Sequence, residues 1–299
     1  MVKQEHYVPR FYLKRFSDND KISVFDIKGE RIFTTNIKKI ACNNRFYDLN
    51  SNELSDALRL QKEICNISDD VFEKECNDVQ FVEKALSRLE DKFSSQLIKF
   101  EEDYNLINNE DFLRTLFLFA YTLSIRTVGF RDGLENIARQ TKKWLENINI
   151  KNIDYPIDKE PEEIAKINQI NELLSISIVS KKALTFFDKY NIFIGINNSD
   201  EDFIISDNPL NYFFLGFNDV CFPINRKLSI IMQVKDADSD HKICNIKPNK
   251  NKIINLTAIE VKKYNNLQVC SNGRYLFGSE NVLKNYCNHV KILNSLLRK

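Results

Sequence analysis

The sequence predicts an α+β fold: small strands first, a helical middle, and strands mixed with helices at the end. Three observations predict it. KISVFDIKGERIFTT alternates apolar and polar residues around Lys28-Gly29, and DVQFVEKALSRLEDKFSSQLIKFEEDY repeats its apolar residues at spacings of three and four. NIFIGIN, DFIISDNPL and DVCFPINRKLSIIMQV then return to short apolar runs divided by turn residues. The regular βαβ alternation of a doubly wound nucleotide-binding sheet is missing from this order. Residues 1–299 are read as a single globular unit with three blocks, strands over 1–50, a helical bundle over 53–190 and mixed strands and helices over 191–299.

The first block reads as a hairpin over KISVFDIKGERIFTT followed by a short extended piece at NRFYDL. A lone hairpin is only marginally stable, so this one is expected to pack on another part of the chain. In the second block Val82, Leu86, Leu89, Phe93, Leu97, Phe100 and Tyr104 make one continuous helical stripe. The next helix begins at Asn109, with Glu110 and Asp111 in its first turn, and runs through LFLFAYTLSI, which is apolar all round and so belongs in the middle of the fold. A third starts at Pro161 with Glu162 and Glu163, and its apolar residues continue through Ile164, Ile167, Leu174, Ile178, Leu184 and Phe187. NINIKNIDYPIDKEP, between the last two, reads as a surface loop. In the third block the strands are followed by the polar loop KDADSDHK, a helix over about Thr257 to Val269, a strand RYLFGS and a terminal helix from about Ser279.

Composition excludes several classes. The 299 residues carry 43 basic and 42 acidic side chains, a net charge of +1, so no global field gathers nucleic acid or an anionic membrane and any such binding must be local. Seven cysteines with no C-x-x-C spacing fit neither a disulfide framework nor a zinc ribbon, and the expectation is reduced, mostly buried thiols in a cytoplasmic protein. MVKQEHYVPRFYLKRF has no apolar core, so no secretory leader is expected, and LFLFAYTLSI is far short of the ~20 residues of a membrane span. Abundant Asn, Ile and Lys beside 7 Gly and 6 Pro fit an AT-rich bacterial or phage genome. P-loop, dinucleotide, zincin and serine-hydrolase motifs are all missing, so no zinc, NAD or P-loop nucleotide site is expected. With only three histidines, a histidine-rich metal site is excluded by count, while a carboxylate site for magnesium or manganese is not. His241 and His289 read as surface residues.

His6 stands in different company. HYVPRFYLKRF packs a histidine, aromatics, a proline and the cations Arg10, Lys14 and Arg15 into eleven residues. Two arrangements suit it: aromatics that stack bases while cations grip phosphates, or an arm with aromatics buried and cations solvated. This opening resembles that of the bacterial family catalogued as domain of unknown function 4238, whose hallmark is H-Y-V-P-x-F-Y-L-x-x-F. Further parts of that family's pattern follow in order: Phe46-Tyr47, a helix with Glu83 and Glu90, Arg126 after the apolar helix, Ser206-Asp207-Asn208-Pro209, and Phe222-Pro223-Ile224. The chain departs from the pattern after Pro223, where the family tends to a second proline and this sequence has Asn225 and Arg226. The resemblance covers nearly the whole chain and implies an architecture and a residue shortlist, but no reaction.

Helix geometry ranks the shortlist. Glu83 and Glu90, seven apart, lie about 60 to 80° from the centre of the apolar stripe, at a half-buried edge. Arg126 needs an anion, and pairing it with Glu90 or Glu83 makes either a buried ion pair locking two helices or a pocket wall for a phosphate-bearing substrate. Ser206, Asp207 and Asn208 follow an apolar strand, where a rigid sheet holds side chains at an open end; an Asx turn accounts for the same residues structurally. His6 is either an acid/base group or a strut that hydrogen-bonds a carbonyl. The leading expectation is a cytoplasmic, nuclease-like hydrolase acting on a phosphodiester or nucleotide, in a phage-defence or mobile-element setting. In it, His6, Glu90 and Asp207 are catalytic, Glu83, Glu90 and Asp207 hold magnesium, manganese or a water, and Arg126, Arg10, Ser206 and Asn208 bind substrate. The alternatives are a non-catalytic sensor or partner-binding module in which the same residues form a polar core, and a nucleic-acid binder without catalysis.

Overall fold

A computed structural model describes residues 4–65, 68–78, 80–148, 156, 158–175, 187–210, 219–235, 252–271 and 273–287. In chain order its elements are β1 (Gln4–His6), α1 (Arg10–Lys14), β2 (Lys21–Asp26), β3 (Arg31–Asn36), β4 (Cys42–Asn44), α2 (Ser51–Cys65), α3 (Asp69–Cys76), α4 (Phe81–Glu102), α5 (Glu110–Ile125), α6 (Val128–Ile148) and α7 (Pro161–Leu174). There follow β5 (Tyr190–Asn197), β6 (Ile205–Ser206), β7 (Asp219–Pro223), β8 (Leu228–Val234), β9 (Ile253–Leu256), α8 (Ala258–Ser271), β10 (Tyr275–Gly278) and α9 (280–287). The class is α+β, as the residue pattern predicts.

The apolar stripe from Val82 to Phe100 becomes α4, which buries Val82, Leu86, Phe93, Leu97 and Phe100. Asn109 caps α5, its side chain accepting the Phe112 N–H, and Glu110 and Asp111 lie in the first turn, where the helix dipole favours acids. From Leu116 to Ile125 every residue of α5 except Tyr121 is buried. Pro161 opens α7. The apolar continuation at Ile178 and Leu184, the loop KDADSDHK beyond Lys235, and both His241 and His289 lie outside the described residues, as does most of the loop expected over 147–161.

The hairpin forms as expected, β2 pairing with β3 from Lys21↔Asn36 to Asp26↔Arg31. What it packs on is the far end of the chain. The sheet order is β3-β2-β10-β6, so a strand of residues 275–278 lies directly beside β2. Buried Asp26 at the turn is held by Arg274 through two bonds, Nε to Oδ1 at 3.0 Å and Nη2 to Oδ2 at 2.9 Å, and this pairing lowers its pKa. The blocks read from the sequence are therefore not layers in space. A second sheet, β7-β8-β5-β9, is antiparallel except for β5 and β9, which run parallel, and β1 and β4 form a two-stranded ribbon.

Three local readings need correction. The extended piece is Cys42–Asn44, not NRFYDL. Arg45 takes a left-handed φ of 49° that ends the strand, and Phe46 and Tyr47 are buried in succession rather than alternating between faces. In DFIISDNPL only Ile205 and Ser206 are strand. The 21-residue α6 and the strand β9 were not separately legible: two glycines, Gly129 and Gly133, stand in the first turns of α6, and β9 is four residues long.

One cluster of buried side chains runs from Tyr7 to Phe277, through all three blocks. At its centre Phe119 of α5 meets Phe93 of α4 (ring centroids 4.9 Å apart), Phe11 (5.3 Å) and Tyr12 (5.6 Å) of α1, and Phe222 of β7 (5.4 Å). Phe119→Ala should cost about 3–5 kcal/mol, measured by denaturant unfolding. A loss below about 1 kcal/mol, no more than an Ile→Val trim, would mean that these rings do not form the load-carrying contact between the helices and β7.

Candidate functional site

Pro9, with φ −55° and ψ 137°, divides the opening motif into strand and helix. Before it, β1 pairs antiparallel with β4, setting Glu5 opposite Asn43 and His6 opposite Cys42. After it, α1 buries Tyr12 and Leu13. The Tyr12 hydroxyl donates to the Pro223 carbonyl at 2.6 Å, and Arg15 donates Nε to the Ile224 carbonyl at 2.9 Å and pairs with Glu101 at 2.6 Å. The hallmark motif and the Phe222-Pro223-Ile224 segment are thus one contact. Asn225 donates to Glu101 of α4, the partner of Arg15, and Arg226 donates to the Phe16 carbonyl and to Asp18, so of the residues that replace a second proline Arg226 bonds the N-terminal segment directly and Asn225 bonds its ion-pair partner. The aromatics Tyr7, Tyr12 and Phe16 are buried, while Arg10 and Lys14 are exposed, the second of the two arrangements read from the sequence.

Arg126 sits in the two-residue break between α5 and α6 and is 1% exposed. It donates from Nη1 to Glu90 Oε1 at 2.8 Å, from Nη2 to the His6 carbonyl at 2.5 Å and from Nε to the Tyr47 hydroxyl at 3.4 Å, and that hydroxyl returns a bond to the Arg126 carbonyl at 3.0 Å. Burial alone would lower its pKa, but Tyr47 and Glu90 outweigh it, so the guanidinium stays charged. Five residues on, Arg131 lies 3.7 Å above the Phe46 ring and donates to the Phe46 carbonyl. Gln169 of α7 donates to the carbonyls of Ile125 and Thr127 on either side of the break, at 2.8 and 2.9 Å. The break is therefore pinned from α4, α7, β1 and the Phe46-Tyr47 pair.

On one side of β1 lies a hollow of about 400 Å³ lined by Gln4, His6, Arg10, Gln80, Glu83, Lys84 and Ser87. His6 donates Nε2–H to the Ile37 carbonyl at 3.2 Å; because a carbonyl only accepts, the proton is fixed on Nε2 and Nδ1 carries the free lone pair when the ring is neutral. Burial lowers its pKa to about 4, with the Arg10 and Arg126 charges acting in the same direction. Burial raises that of Glu83, with Glu90 and Asp48 adding to it, although Arg126 and Arg10 oppose. Behind them Glu5, fully buried, accepts the Tyr47 N–H at 2.6 Å. Its pKa is pushed up to about 7 by burial, with Asp48 and Glu83 adding. Glu5 Oε1, Asp48 Oδ1 and Glu83 Oε2 are buried without hydrogen-bond partners among the described residues.

On the other side lies a hollow of about 450 Å³ whose walls include Tyr7, Lys39, Gly129, Asp207, Asn208 and Tyr275. Ser206 and Gln268 lock its floor. The Ser206 N–H and hydroxyl both donate to Gln268 Oε1, Gln268 donates to the Pro209 carbonyl, and the Asn208 N–H donates to the Ser206 hydroxyl. Both Asp207 oxygens accept backbone N–H groups, Oδ1 from Gly273 at 2.8 Å and Oδ2 from Arg274 at 2.9 Å. Burial nonetheless raises the Asp207 pKa against those bonds. Asn208 Oδ1 accepts from Thr127 at 3.1 Å, tying the segment to the α5–α6 break.

The shortlist thus divides in two. His6, Arg10 and Glu83 line the first hollow, with Glu90 and Arg126 joined at its back; Asp207 and Asn208 line the second, with Ser206 beneath it. Asp207 does not share a hollow with Glu83 or Glu90, and among the described residues no group of three His, Cys, Asp or Glu side chains is arranged to hold a metal ion. Glu5, Arg131 and Gln169 were missed, and Tyr47 was named only as part of the Phe46-Tyr47 pair, without a role. Glu5, between the polar Gln4 and His6, offers no signal beyond its place one residue before His6. Gln169 has none.

Arg126→Met should destabilise the protein by about 3–5 kcal/mol, because the Glu90 carboxylate and the His6 carbonyl lose their cationic partner; urea unfolding measures it, and a near-neutral result would contradict the pinning. Glu5 and His6 give opposite pH slopes. The folded pKa of Glu5 is raised, so its contribution is full below about 4.5 and is lost as pH rises through about 7. That of His6 is depressed, so its contribution is full above about 6.5 and is lost as pH falls through about 4. Glu5→Gln keeps an acceptor for the Tyr47 N–H and removes the first slope. The variant should therefore gain on wild type progressively between pH 4.5 and 7. Parallel melting-temperature profiles for the two would contradict the raised pKa.

A family model described as "Protein of unknown function (DUF4238)" matches residues 4–296. No curated protein and no solved structure matches the chain.

Proposed function

Since the chain belongs to the DUF4238 family of proteins of unknown function, membership brings no reaction, and we propose one from the first hollow: hydrolysis of a phosphodiester or nucleotide, with His6 as general base. The observation that carries the reading is a neutral, tautomer-fixed histidine, a carboxyl whose ionised form is disfavoured and an exposed arginine around one opening of about 400 Å³. Nδ1 of His6 takes a proton from an attacking water, and Glu83, held towards its protonated form, returns one to the leaving oxygen. Arg10 supplies the cation for a phosphate. Lys84 is engaged with Asp78 at 2.5 Å, which leaves Arg10 as the nearer cation for substrate. A cytoplasmic setting follows from seven cysteines without a disulfide or zinc spacing, and among the described residues no helix is long and apolar enough to cross a membrane.

One observation favours a second reading, a non-catalytic partner-binding module. Arg126 spends its donors inside the protein and both oxygens of Asp207 accept backbone N–H groups, so these members of the shortlist act as struts. Assays of the full chain against single-stranded DNA, RNA and a chromogenic phosphodiester, with magnesium and with manganese, separate the two. His6→Ala and Glu83→Gln should each lower kcat by about a hundredfold or more while the protein stays folded, by the persistence of its cooperative melting transition, and Arg10→Ala should raise KM. Turnover equal to wild type in both His6→Ala and Glu83→Gln, or no turnover by wild type on any of the three substrates, sinks the hydrolase.

A further inference from the structure

We propose that the second hollow binds the phosphate group of a small phosphomonoester. The argument begins with unspent donors. Helix α6, 21 residues long, starts at its wall; the Thr127 hydroxyl accepts the Phe130 N–H, but the Val128 and Gly129 N–H groups ahead of it have no acceptor among the described residues. Those N–H groups carry the positive end of the helix dipole.

Two buried side chains point to a ligand independently of the helix. Asn208, 5% exposed, spends Oδ1 on Thr127, while its amide nitrogen has no partner among the described residues. That nitrogen lies close to the start of α6: a Cβ placed on Gly129 would come within 3.1 Å of it, so the glycine makes room for the amide. Tyr7, also 5% exposed, packs its ring on Phe46, and its hydroxyl likewise has no partner among the described residues. Val128 is half-buried and Gly129 exposed, while Asn208 and Tyr7 are buried residues whose free donors line the same hollow, and an acceptor that presents several lone pairs together suits all four. A phosphate has that geometry, and burial keeps the Tyr7 phenol protonated as a donor.

Charge points the same way. Lys28 and Lys39 line the hollow with no carboxylate partner among the described residues, whereas Arg274 is engaged with Asp26. Of the two carboxylates present, Asp207 is capped by backbone N–H groups, and Asp132 sits one turn into α6 beyond the open N–H groups. A volume of about 450 Å³ suits a small molecule rather than a polymer. Ala41, buried on this wall, holds a left-handed φ of 52°, and its carbonyl accepts the N–H groups of Tyr7 and Val8; the strain is spent on fixing the residue that presents the hydroxyl.

The proposal does not depend on the hydrolase reading, which uses the other hollow and other residues. Calorimetric titration of the full chain with inorganic phosphate, a nucleoside monophosphate and the unphosphorylated nucleoside tests it. Phosphate and the monophosphate should bind and the nucleoside should not, and a tighter monophosphate identifies an ester rather than free phosphate as the ligand. Tyr7→Phe and Lys39→Ala should each weaken binding about tenfold, and Asn208→Asp, which keeps the acceptor for Thr127 but adds a negative charge, should abolish it. Tyr7→Phe should melt at the wild-type temperature, since it removes a hydroxyl without a partner; Lys39 is exposed, so its loss leaves folding intact. No binding of either phosphate-bearing probe by wild type, equal binding of nucleoside and monophosphate, or wild-type affinity in both Tyr7→Phe and Lys39→Ala overturns the proposal.

Discussion

A guanidinium taken out of water has to find every acceptor inside the protein, and around Arg126 the fold is built to supply them. The side chain leaves the α5–α6 break, ends on α4 through Glu90, on β1 through the His6 carbonyl, and on the loop after β4 through Tyr47. Those contacts fix where the strand bearing His6 lies against the helix bearing Glu83, and so they shape the first hollow without entering it. A buried charge of this kind is weak evidence of extra stability, since an apolar replacement of the whole pair is often no worse. Its value is geometric: a directional group with several fixed donors allows one arrangement of three elements, where apolar packing would accept several.

The two hollows lie back to back because neighbouring residues of an extended chain face opposite ways. His6 lines one and Tyr7 the other, and Ala41 and Ile37, from the segment that precedes and begins the β4 turn, hold both through backbone carbonyls. The Ser206-Asp207-Asn208-Pro209 stretch reaches the same centre from behind, since Asn208 is bonded to Thr127, the residue after Arg126. Segments widely separated along the chain thus converge on a four-residue stretch around the break.

What the sequence disclosed was what repeats. Helix α4 announced itself through an unbroken stripe, α5 through its cap and its all-round apolar run, and the first hairpin through strict alternation, because in each case many residues report the same period. Helix geometry also placed Glu83 and Glu90 at a half-buried edge and paired Arg126 with one of them, since a cation on an apolar helix end leaves few solutions. It did not show that Asp207 serves Gly273 and Arg274, sixty-six and sixty-seven residues away, because an aspartate in a turn looks the same whichever backbone it caps. Gln169, polar on a helix with other polar residues, gave no warning that it is fully buried on two carbonyls. Long-range satisfaction of single polar groups has no period to read.

The pairing of β2 with β10 sets an order of events during synthesis. The first hairpin is complete once residue 36 is made, but its inner edge gains its neighbour only when residues 275–278 exist, and the Asp26–Arg274 pair spans 248 positions. On the ribosome, β2 therefore waits as an open strand edge while the 248 positions between Asp26 and Arg274 are made, an edge of the kind that recruits foreign strands. Contacts of such long sequence separation also make for slow folding. The first hairpin is covered only once residues 275–278 have been made, and until then the nascent chain is exposed to mispairing or to capture by chaperones.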